Sequence, residues 1–424
     1  MTYLQAIQYL ESFINYEKVS SYRYKKLLGL KRIKGFLKFL GNPQRGIRFI
    51  HVAGTKGKGS TCVFIAYILK ASGFKVGLYT SPHLACFRER IRIMPGKEKD
   101  EFEGMISRLE LKSLLKKLKP FIEEYNRSSL YGKLTFFEVY TALAIAYFRE
   151  KNVDFAVLET GLGGRLDATN VVSALISVIT PISYEHTDKL GKALGKIAFE
   201  KAGIIKGGES AVISAPQEKE AMEVIRKRCT DLGVSFLSFN KYQKLKIKLC
   251  GGHQLINANV AKKAILALRT RCGINIADSC IKKGLGSAVW PARCEVLGKQ
   301  PQIIIDGAQN ASSAKAIKCA VREGFRYRKL ILVLGVSKDK DIKGVCSQLY
   351  SLADKVILTK ADSPRGLEPK ILAKFFKNKE IYIAPRVSEA KVLSMRLAGK
   401  DDLILVTGSL FVAGEYKYGR RNFN

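Results

Sequence analysis

The chain has 424 residues, of which 73 are lysine or arginine and 37 are aspartate or glutamate, so its formal net charge is +36. Hydrophobic residues make up 47% and charged residues 26%, which is typical of a globular protein and excludes an intrinsically disordered chain. This length favours two or three domains. The sequence contains no apolar run of the roughly 20 residues that a membrane-spanning helix needs.

The cysteines and the basic charge set the first limits on location and partners. The nine cysteines stand singly without a Cys-x-x-Cys pair, and the N-terminus lacks a signal-peptide core. We therefore expect reduced thiols and a cytoplasmic protein. The charge is compatible with nucleic acid, an anionic membrane surface or anionic small substrates, or with a general enrichment in lysine. Composition does not decide between these, so the motifs must.

Strand and helix patterns alternate in the N-terminal part. Residues 1–46 are expected to form helices with basic faces, for example over 24–40. The patterns that follow predict strands over 48–53, 76–80, 154–159 and 174–180, and helices over 61–72, 102–126 and 135–151. Strands that alternate with helices form mostly parallel sheets covered on both faces, so we expect an α/β fold.

A second series of elements begins after a boundary that we place at 290–298. It comprises predicted strands over 303–306, 330–334, 356–359 and 403–407, predicted helices over 312–321 and 343–352, and a helical tail. We therefore predict a larger N-terminal α/β domain over 1–293 and a smaller C-terminal α/β domain over 294–424.

A glycine-rich turn, Gly54-Thr-Lys-Gly-Lys-Gly-Ser60, follows the first of these strands. Backbone N–H groups at such a turn and the partial positive charge of the helix N-terminus favour a bound phosphate. The glycines would admit the phosphate oxygens, Lys58 would reach the terminal phosphates, and Ser60 or Thr61 would help to hold Mg²⁺. The spacing departs from GxxxxGK(S/T), and an ordinary turn is the alternative. A dinucleotide site is less favoured, because residues 161–166 lack the third glycine of GxGxxG.

Three polar residues lie at the end of a predicted strand or in the loop after one, at the edge where parallel sheets bind ligands. Near a triphosphate, Glu159 would hold Mg²⁺; the alternative is a capping or surface glutamate. His186 lies in a loop beside carboxylates and is either a site residue or a surface histidine. His83 is either a site residue or a turn residue.

Short motifs occur in order along nearly the whole chain. They are HVAGTKGKGS at 51–60, SPHL at 81–84, FRERI at 87–91, TFFE at 135–138, ETGLGGRLDATN at 159–170, HTDKLG at 186–191, EKAGI at 200–204, HQ at 253–254, NA at 257–258, WPAR at 290–293, DGAQN at 306–310, KDKD at 338–341 and VTGS at 406–409. This ordered set resembles the folylpolyglutamate synthase and dihydrofolate synthase family, within the Mur ligase superfamily.

The resemblance implies both an architecture and a reaction. The expected fold is a P-loop-type nucleotide-binding domain with a mostly parallel sheet, followed by a smaller Rossmann-like domain. The expected activity is ATP- and Mg²⁺-dependent amide formation. A carboxylate of dihydropteroate or a folate becomes an acyl phosphate, and the amine of L-glutamate then attacks it. The pterin-contact motifs favour an enzyme that uses both acceptors.

The resemblance also implies roles for individual residues. ATP would contact Gly54, Thr55, Lys56, Gly57, Lys58, Gly59, Ser60, Asn257, Arg293 and Asp306. One Mg²⁺ would bind Ser81 and Glu159, and another would bind Glu159 and His186. The catalytic residues would be Lys58, His186 and Lys201, the last matching a lysine that is carbamylated in many members. Without the resemblance, Lys201 would be interpreted as a solvated helix residue. The pterin would contact Thr135, Phe136, Phe137, Glu138, Leu166, Asp167 and Ala168.

Three positions depart from the family pattern. Lys56 stands where many bacterial members have asparagine, and Ala292 replaces a glycine, which is a mild change if its φ is negative. Gln309 replaces a histidine, and glutamine cannot become cationic. The alternatives to a folate ligase are another Mur-type amide ligase, such as a cell-wall precursor ligase, a nucleic-acid-binding NTPase, and a non-catalytic binding protein. We expect a monomer with small-molecule substrates and neither nucleic acid nor membrane as a partner.

Overall fold

The computed structural model describes residues 1–17, 29–96 and 101–419. The N-terminal part contains α1 (Tyr3–Glu11), α2 (Leu30–Phe39), β1 (Arg48–Ala53), α3 (Lys58–Ala71), β2 (Val76–Tyr79), β3 (Ile91–Met94), α4 (Arg108–Ser128), α5 (Phe136–Glu150), β4 (Phe155–Glu159), β5 (Ala174–Ile179), α6 (Thr187–Leu190), α7 (Leu194–Ala202), β6 (Ala211–Ser214), α8 (Lys219–Asp231), β7 (Phe236–Leu237), α9 (Gly252–Cys272) and α10 (Asp278–Ser287). The C-terminal part contains β8 (Glu295–Lys299), β9 (Gln302–Ile305), α11 (Ala311–Gly324), β10 (Leu330–Leu334), α12 (Ile342–Tyr350), β11 (Lys355–Leu358), α13 (Pro369–Ala373), β12 (Glu380–Ile383), α14 (Val387–Leu397), β13 (Leu403–Thr407) and α15 (Leu410–Tyr418).

The first sheet has seven strands in the order β3-β2-β4-β1-β5-β6-β7. All neighbouring pairs are parallel except β2 and β3. Strand β1 lies between β4 and β5, with Val52 opposite Glu159 and Val178. The carboxyl ends of these three strands therefore meet at one edge, and the loops that follow them lie side by side.

Helices cover both faces of this sheet, because side chains along a buried strand alternate between faces. Helices α1, α2, α4 and α5 pack on one face, against residues such as Phe49 and Leu158. Helix α3 packs on the other, against Ile50 and Val157, and is covered in turn by α9 and α10. Residues Gly59 to Leu69 of α3 are all buried, so the helix after the glycine-rich turn is held on every side.

The second sheet has six strands in the order β12-β11-β10-β13-β9-β8, and only β8 is antiparallel to its neighbour. Helices α11 and α12 cover one face, and α14 and α15 cover the other. The chain passes from α10, which ends at Ser287, to β8, which begins at Glu295, so the connection between the sheets overlaps the segment 290–298. The limits 1–293 and 294–424 stay a prediction.

The expected α/β class with two mostly parallel sheets is confirmed. The helix predicted over 102–126 is wrong at its start, since Ser107 and Glu110 form a capping box that begins α4 at Arg108. The preceding backbone pairs with β3 instead, the Ile106 N–H donating to the carbonyl of Ile91 at 2.9 Å. Part of the helix predicted over 24–40 lies outside the described residues. Five short strands, β3, β6, β7, β8 and β12, were not predicted.

Two further expectations concern the whole chain. Across the described ranges, no helix combines the length and apolarity required to cross a membrane. All nine cysteines are free thiols, which agrees with the prediction from their spacing.

Candidate active site

The glycine-rich turn is shaped by two glycines that no other residue could replace without strain. Gly54 has φ 141°, and a Cβ there would lie 1.9 Å from Oγ1 of Thr180. Gly57 has φ 81°, and a Cβ there would lie 2.0 Å from Oδ1 of Asn257. Gly57 precedes α3 and supplies no side-chain cap. The N–H groups of the first helical turn therefore have no intrahelical partner and are available to an anion.

A cavity of about 490 Å³ lies between the two sheets at the mouth of this turn. It brings together most of the residues predicted for the site, namely Thr55, Lys56, Gly57, Lys58, Gly59, Ser60, Ser81, Thr135, Phe137, Glu138, Glu159, Leu166, Asp167, Ala168, His186, Asn257, Arg293 and Asp306. Three predicted residues, Gly54, Phe136 and Lys201, are not among its lining residues.

Glu159 and His186 face the cavity, and burial shifts the pKa of both. Burial raises the pKa of Glu159, opposed by Lys58, by the Ser81 N–H that donates to Oε2 at 3.1 Å, and by Arg293. Burial lowers the pKa of His186 to about 3, so its imidazole is neutral and able to act as a ligand. No cluster of three or more metal-binding side chains occurs among the described residues. Mg²⁺ fits such a site, because it is usually held by one or two carboxylates, phosphate oxygens and water.

Lys201 lies behind the turn and is buried, which contradicts its interpretation as a solvated helix lysine. Its Nζ donates to the carbonyl of Gly54 at 2.6 Å. Burial and the nearby Lys58 lower the pKa of Lys201 to about 7. A large fraction of this amine is therefore neutral at physiological pH.

The segment predicted to contact a pterin begins α5. Thr135 and Glu138 form a capping box, and Nε of Arg32 lies 3.1 and 3.0 Å from the two carboxylate oxygens of Glu138. Phe137 faces the cavity. Phe136 instead points into the core and stacks on Tyr140 with ring centroids 5.5 Å apart, because successive helix positions face different sides.

Asp167 also lines the cavity, and both of its carboxylate oxygens accept local hydrogen bonds. Its Oδ2 accepts from the Leu162 N–H at 2.8 Å, and Oδ1 accepts from the N–H and hydroxyl of Thr169 at 3.0 and 2.5 Å. Burial raises its pKa despite these bonds. The aspartate fixes the glycine-rich segment over 161–164, while Leu166 and Ala168 present apolar surface to the cavity.

Arg293 and Asp306, which lie on either side of the predicted domain boundary, line the cavity together. The Asp306 carboxylate accepts from the N–H groups of Cys294 and Ala308, both at 2.8 Å. Burial raises its pKa, and Arg293 opposes this rise. Ala292 has φ 55°, so the negative φ that would make this glycine replacement mild is absent, and the alanine carries backbone strain. Gln309 lines the cavity.

Two other histidines, His83 and His51, make structural contacts, whereas His253 lines the cavity. His83 accepts a hydrogen bond from Nε of Arg90 at 3.0 Å, and His51 is buried with Nε2 2.8 Å from the Thr169 hydroxyl. Sequence reasoning missed Glu185 and the segment 14–17, which also line the cavity. The carbonyl of Glu17 accepts from Arg365 at 2.7 Å. No local pattern could reveal this contact, since the two residues are 348 positions apart.

Comparison with known proteins agrees with this geometry. The Mur ligase middle domain matches residues 52–247, and the Mur ligase glutamate ligase domain matches 292–410. A dihydrofolate synthase/folylpolyglutamate synthase of Bacillus subtilis is 33% identical over 92% of this chain and 94% of its own length. The structure of Mycobacterium tuberculosis folylpolyglutamate synthase with ADP superposes with a TM-score of 0.87 at 28% identity, covering 98% of this chain and 97% of that one. E. coli FolC with DHPP and ADP gives a TM-score of 0.84 at 28% identity, with the same coverage.

The two domains, with an uncapped glycine-rich turn at the cleft between them, define an ATP-dependent amide-forming ligase of the Mur type. Within that class, the sequence identity to the Bacillus subtilis protein over most of both chains shows the family. The chain belongs to the folylpolyglutamate synthase and dihydrofolate synthase family.

Proposed function

We propose that this ligase joins L-glutamate to the carboxylate of dihydropteroate, of folates or of both. The observation that supports it is one cavity that joins the phosphate-binding turn and Glu159 to an apolar pocket beside Phe137. A ligase needs this arrangement, because the acceptor carboxylate must reach the terminal phosphate of ATP. The relatives named for folate ligation, and the one bound to both DHPP and ADP, support the same substrates.

The residues present suit the first chemical step. The acceptor carboxylate attacks the γ-phosphorus, the bond to the bridging oxygen breaks, and ADP leaves the new acyl phosphate. Charge spreads over the transferring phosphoryl oxygens, so cations and aimed N–H groups lower the barrier. Lys58 and the N–H groups of the first turn of α3 occupy that position, while Asn257, Arg293 and Asp306 hold the nucleotide from the other side.

The second step forms the amide. The amine of L-glutamate attacks the acyl carbon, the tetrahedral intermediate collapses, and phosphate leaves. The acyl phosphate is vulnerable to water, so the closed walls of the cavity protect it. Thr135, Phe137, Leu166 and Ala168 would orient the pterin, with Glu138 and Asp167 as the polar residues that fix this pocket.

Ser81, Glu159 and His186 would hold Mg²⁺ beside the phosphates. An ion held there would neutralise charge on the phosphate oxygens. Lys201 is proposed to carry a carbamate, since its buried amine, with a pKa of about 7, can react with carbon dioxide. The carbamate would place an anionic oxygen donor behind the turn.

A direct assay tests the proposed function. The purified protein, ATP, Mg²⁺ and labelled L-glutamate are incubated with dihydropteroate or with tetrahydrofolate, in parallel. We expect label in an amide product with at least one acceptor, and the two rates decide between single and dual specificity. No incorporation with any pterin acceptor would refute the proposal. Gel shifts with single-stranded and duplex nucleic acid test the NTPase alternative, which predicts salt-sensitive binding.

A further inference from the structure

One carboxylate without an assigned role, Glu185, touches both domains at the cavity. Its Oε2 lies 3.3 Å from Nζ of Lys56 in the phosphate-binding turn. Its Oε1 accepts a hydrogen bond from Nδ2 of Asn310 at 2.9 Å. Asn310 is the N-cap of α11, the first helix of the C-terminal domain. A single side chain therefore connects the turn to the second domain. We call the contacts of Glu185 with Lys56 and Asn310 the bridge.

The loop that carries Glu185 is fixed to the phosphate-binding turn. The N–H groups of Thr55 and Lys56 donate to the carbonyl of Pro181 at 3.0 and 3.1 Å. The Thr55 hydroxyl accepts from the Ser183 N–H at 3.1 Å and lies 3.2 Å from the Ser183 carbonyl oxygen. Glu185 consequently moves with the turn as one unit.

The other end of the bridge is fixed to α11. Oδ1 of Asn310 accepts from the N–H of Ser313 at 3.0 Å and from its hydroxyl at 2.9 Å. The helix thereby uses the amide oxygen and leaves the amide nitrogen to face Glu185. Any movement of α11 away from the first domain must stretch the bond between Asn310 and Glu185.

The bridge lies where water is partly excluded. Side-chain exposure is 24% for Lys56 and 14% for Glu185, and Asn310 is buried. Hydrogen bonds to an ionised carboxylate in such surroundings are about twice as strong as neutral ones. The contact is therefore strong enough to influence how the domains approach each other.

We propose that Glu185 is a positioning residue that couples the approach of the C-terminal domain to the geometry of the phosphate-binding turn. With the cleft closed, Lys56 and Asn310 share its carboxylate; with the cleft open, the bond to Asn310 is broken. This inference rests on the proposed ligase reaction, because closure would protect the acyl phosphate from water until glutamate attacks. A weakened bridge should divert acyl phosphate to hydrolysis.

Two variants separate the bridge from the helix cap. Asn310→Ser keeps an N-cap oxygen for α11 but removes the amide that donates to Glu185. Glu185→Gln removes the charge. Glu389→Gln is the matched control, since Glu389 forms an exposed ion pair with Arg386 on α14. ADP release and amide formation are measured in the same reaction, together with the KM for glutamate.

We expect the ratio of ADP to amide to rise above one in both bridge variants, by about three- to tenfold, the range that the net loss of one hydrogen bond gives. The KM for glutamate should rise while ADP affinity changes less, and Glu389→Gln should match the wild type. A ratio of one and an unchanged KM in both bridge variants would overturn the inference. If Glu185→Gln does not fold, Asn310→Ser alone tests the inference. That variant keeps the ion pair between Glu185 and Lys56 and keeps an N-cap oxygen for α11.

The activity of the wild type tests the proposed function, whereas the comparison of the variants with the wild type tests this inference. Failure of one can therefore be distinguished from failure of the other. If the wild type forms no amide, small-angle scattering with ADP bound tests the bridge without turnover. A larger radius of gyration for Asn310→Ser than for the wild type would support the bridge, and identical values would refute it.

Discussion

Two loops in the same topological position face each other across the cavity. One joins β1 to α3 in the first sheet, and the other, residues 306–310, joins β9 to α11 in the second. Both follow a parallel strand and lead into a helix. They differ in how the helix begins: Gly57 supplies no side-chain cap to α3, whereas Asn310 and Ser313 form a capping box on α11.

This difference explains why only one loop suits phosphate. A helix N-terminus attracts an anion through N–H groups that lack partners. On α3 these groups are open to the cavity and Lys58 stands beside them, whereas on α11 the Asn310 side chain occupies one of them. The second loop instead presents a carboxylate, Asp306, toward the cleft. Two loops with the same backbone topology thus differ in their chemistry. The residue before the helix decides whether the N–H groups at its N-terminus are available to an anion.

The largest expected effect comes from removing the cation of the first loop. Lys58→Met should lower kcat by about 10²–10³-fold, the usual cost of losing one stabilising group at a developing charge. Gln309→Ala in the second loop is the matched control and should cost less than Lys58→Met, because glutamine carries no charge. The rate of amide formation is measured for both variants and for the wild type. Thermal unfolding checks that both variants are folded. Equal losses would remove the distinction between the loops.

A smaller loss of activity is expected when Lys201 is replaced. Its amine donates a hydrogen bond to Gly54 in the first loop. Lys201→Ala should lower activity by about 10–100-fold, as removal of a residue behind a metal site commonly does. Acetate should restore part of it if a carbamate is the active form.

The modification of Lys201 should also depend on pH. Carbamylation needs the neutral amine, and with a pKa lowered to about 7 the neutral fraction grows as the pH rises through that value. A carbamate signal from ¹³C-bicarbonate should therefore increase between pH 6 and pH 8 in the wild type and be absent from Lys201→Ala. A signal that does not change over this range would contradict the assignment.

The smallest expected effect concerns the glycines. Gly57→Ala should destabilise the protein by about 1–2 kcal/mol, because it forces a positive φ on alanine and places Cβ against Asn257. Gly307→Ala in the second loop should cost less, since its Cβ would meet side-chain atoms of Leu410 and Arg293 that can move. Urea unfolding of both variants tests this order, and the reverse order would show that the second loop is the more constrained.

Much of the fold was predictable because its signals are local. The strand before the glycine-rich turn and the buried strand ending at Glu159 were predicted to within one residue. Short edge strands such as β3 and β12 were missed, because a charged residue, Arg92 or Glu380, shortens an already short apolar run. The start of α4 was misplaced, although Ser107 and Glu110 carry the capping signal in the sequence.

For the site, the strand, the glycine-rich turn and the helix follow from the amino-acid sequence alone, as do the residues at strand ends. These follow from spacing along the chain and from the φ angles that glycine allows. The tertiary structure decided which side chains meet. It buried Lys201 against Gly54, turned Phe136 into the core, and placed Glu185 against Asn310, 125 positions away. Such contacts depend on how two sheets pack together, and packing brings together residues that no local pattern relates.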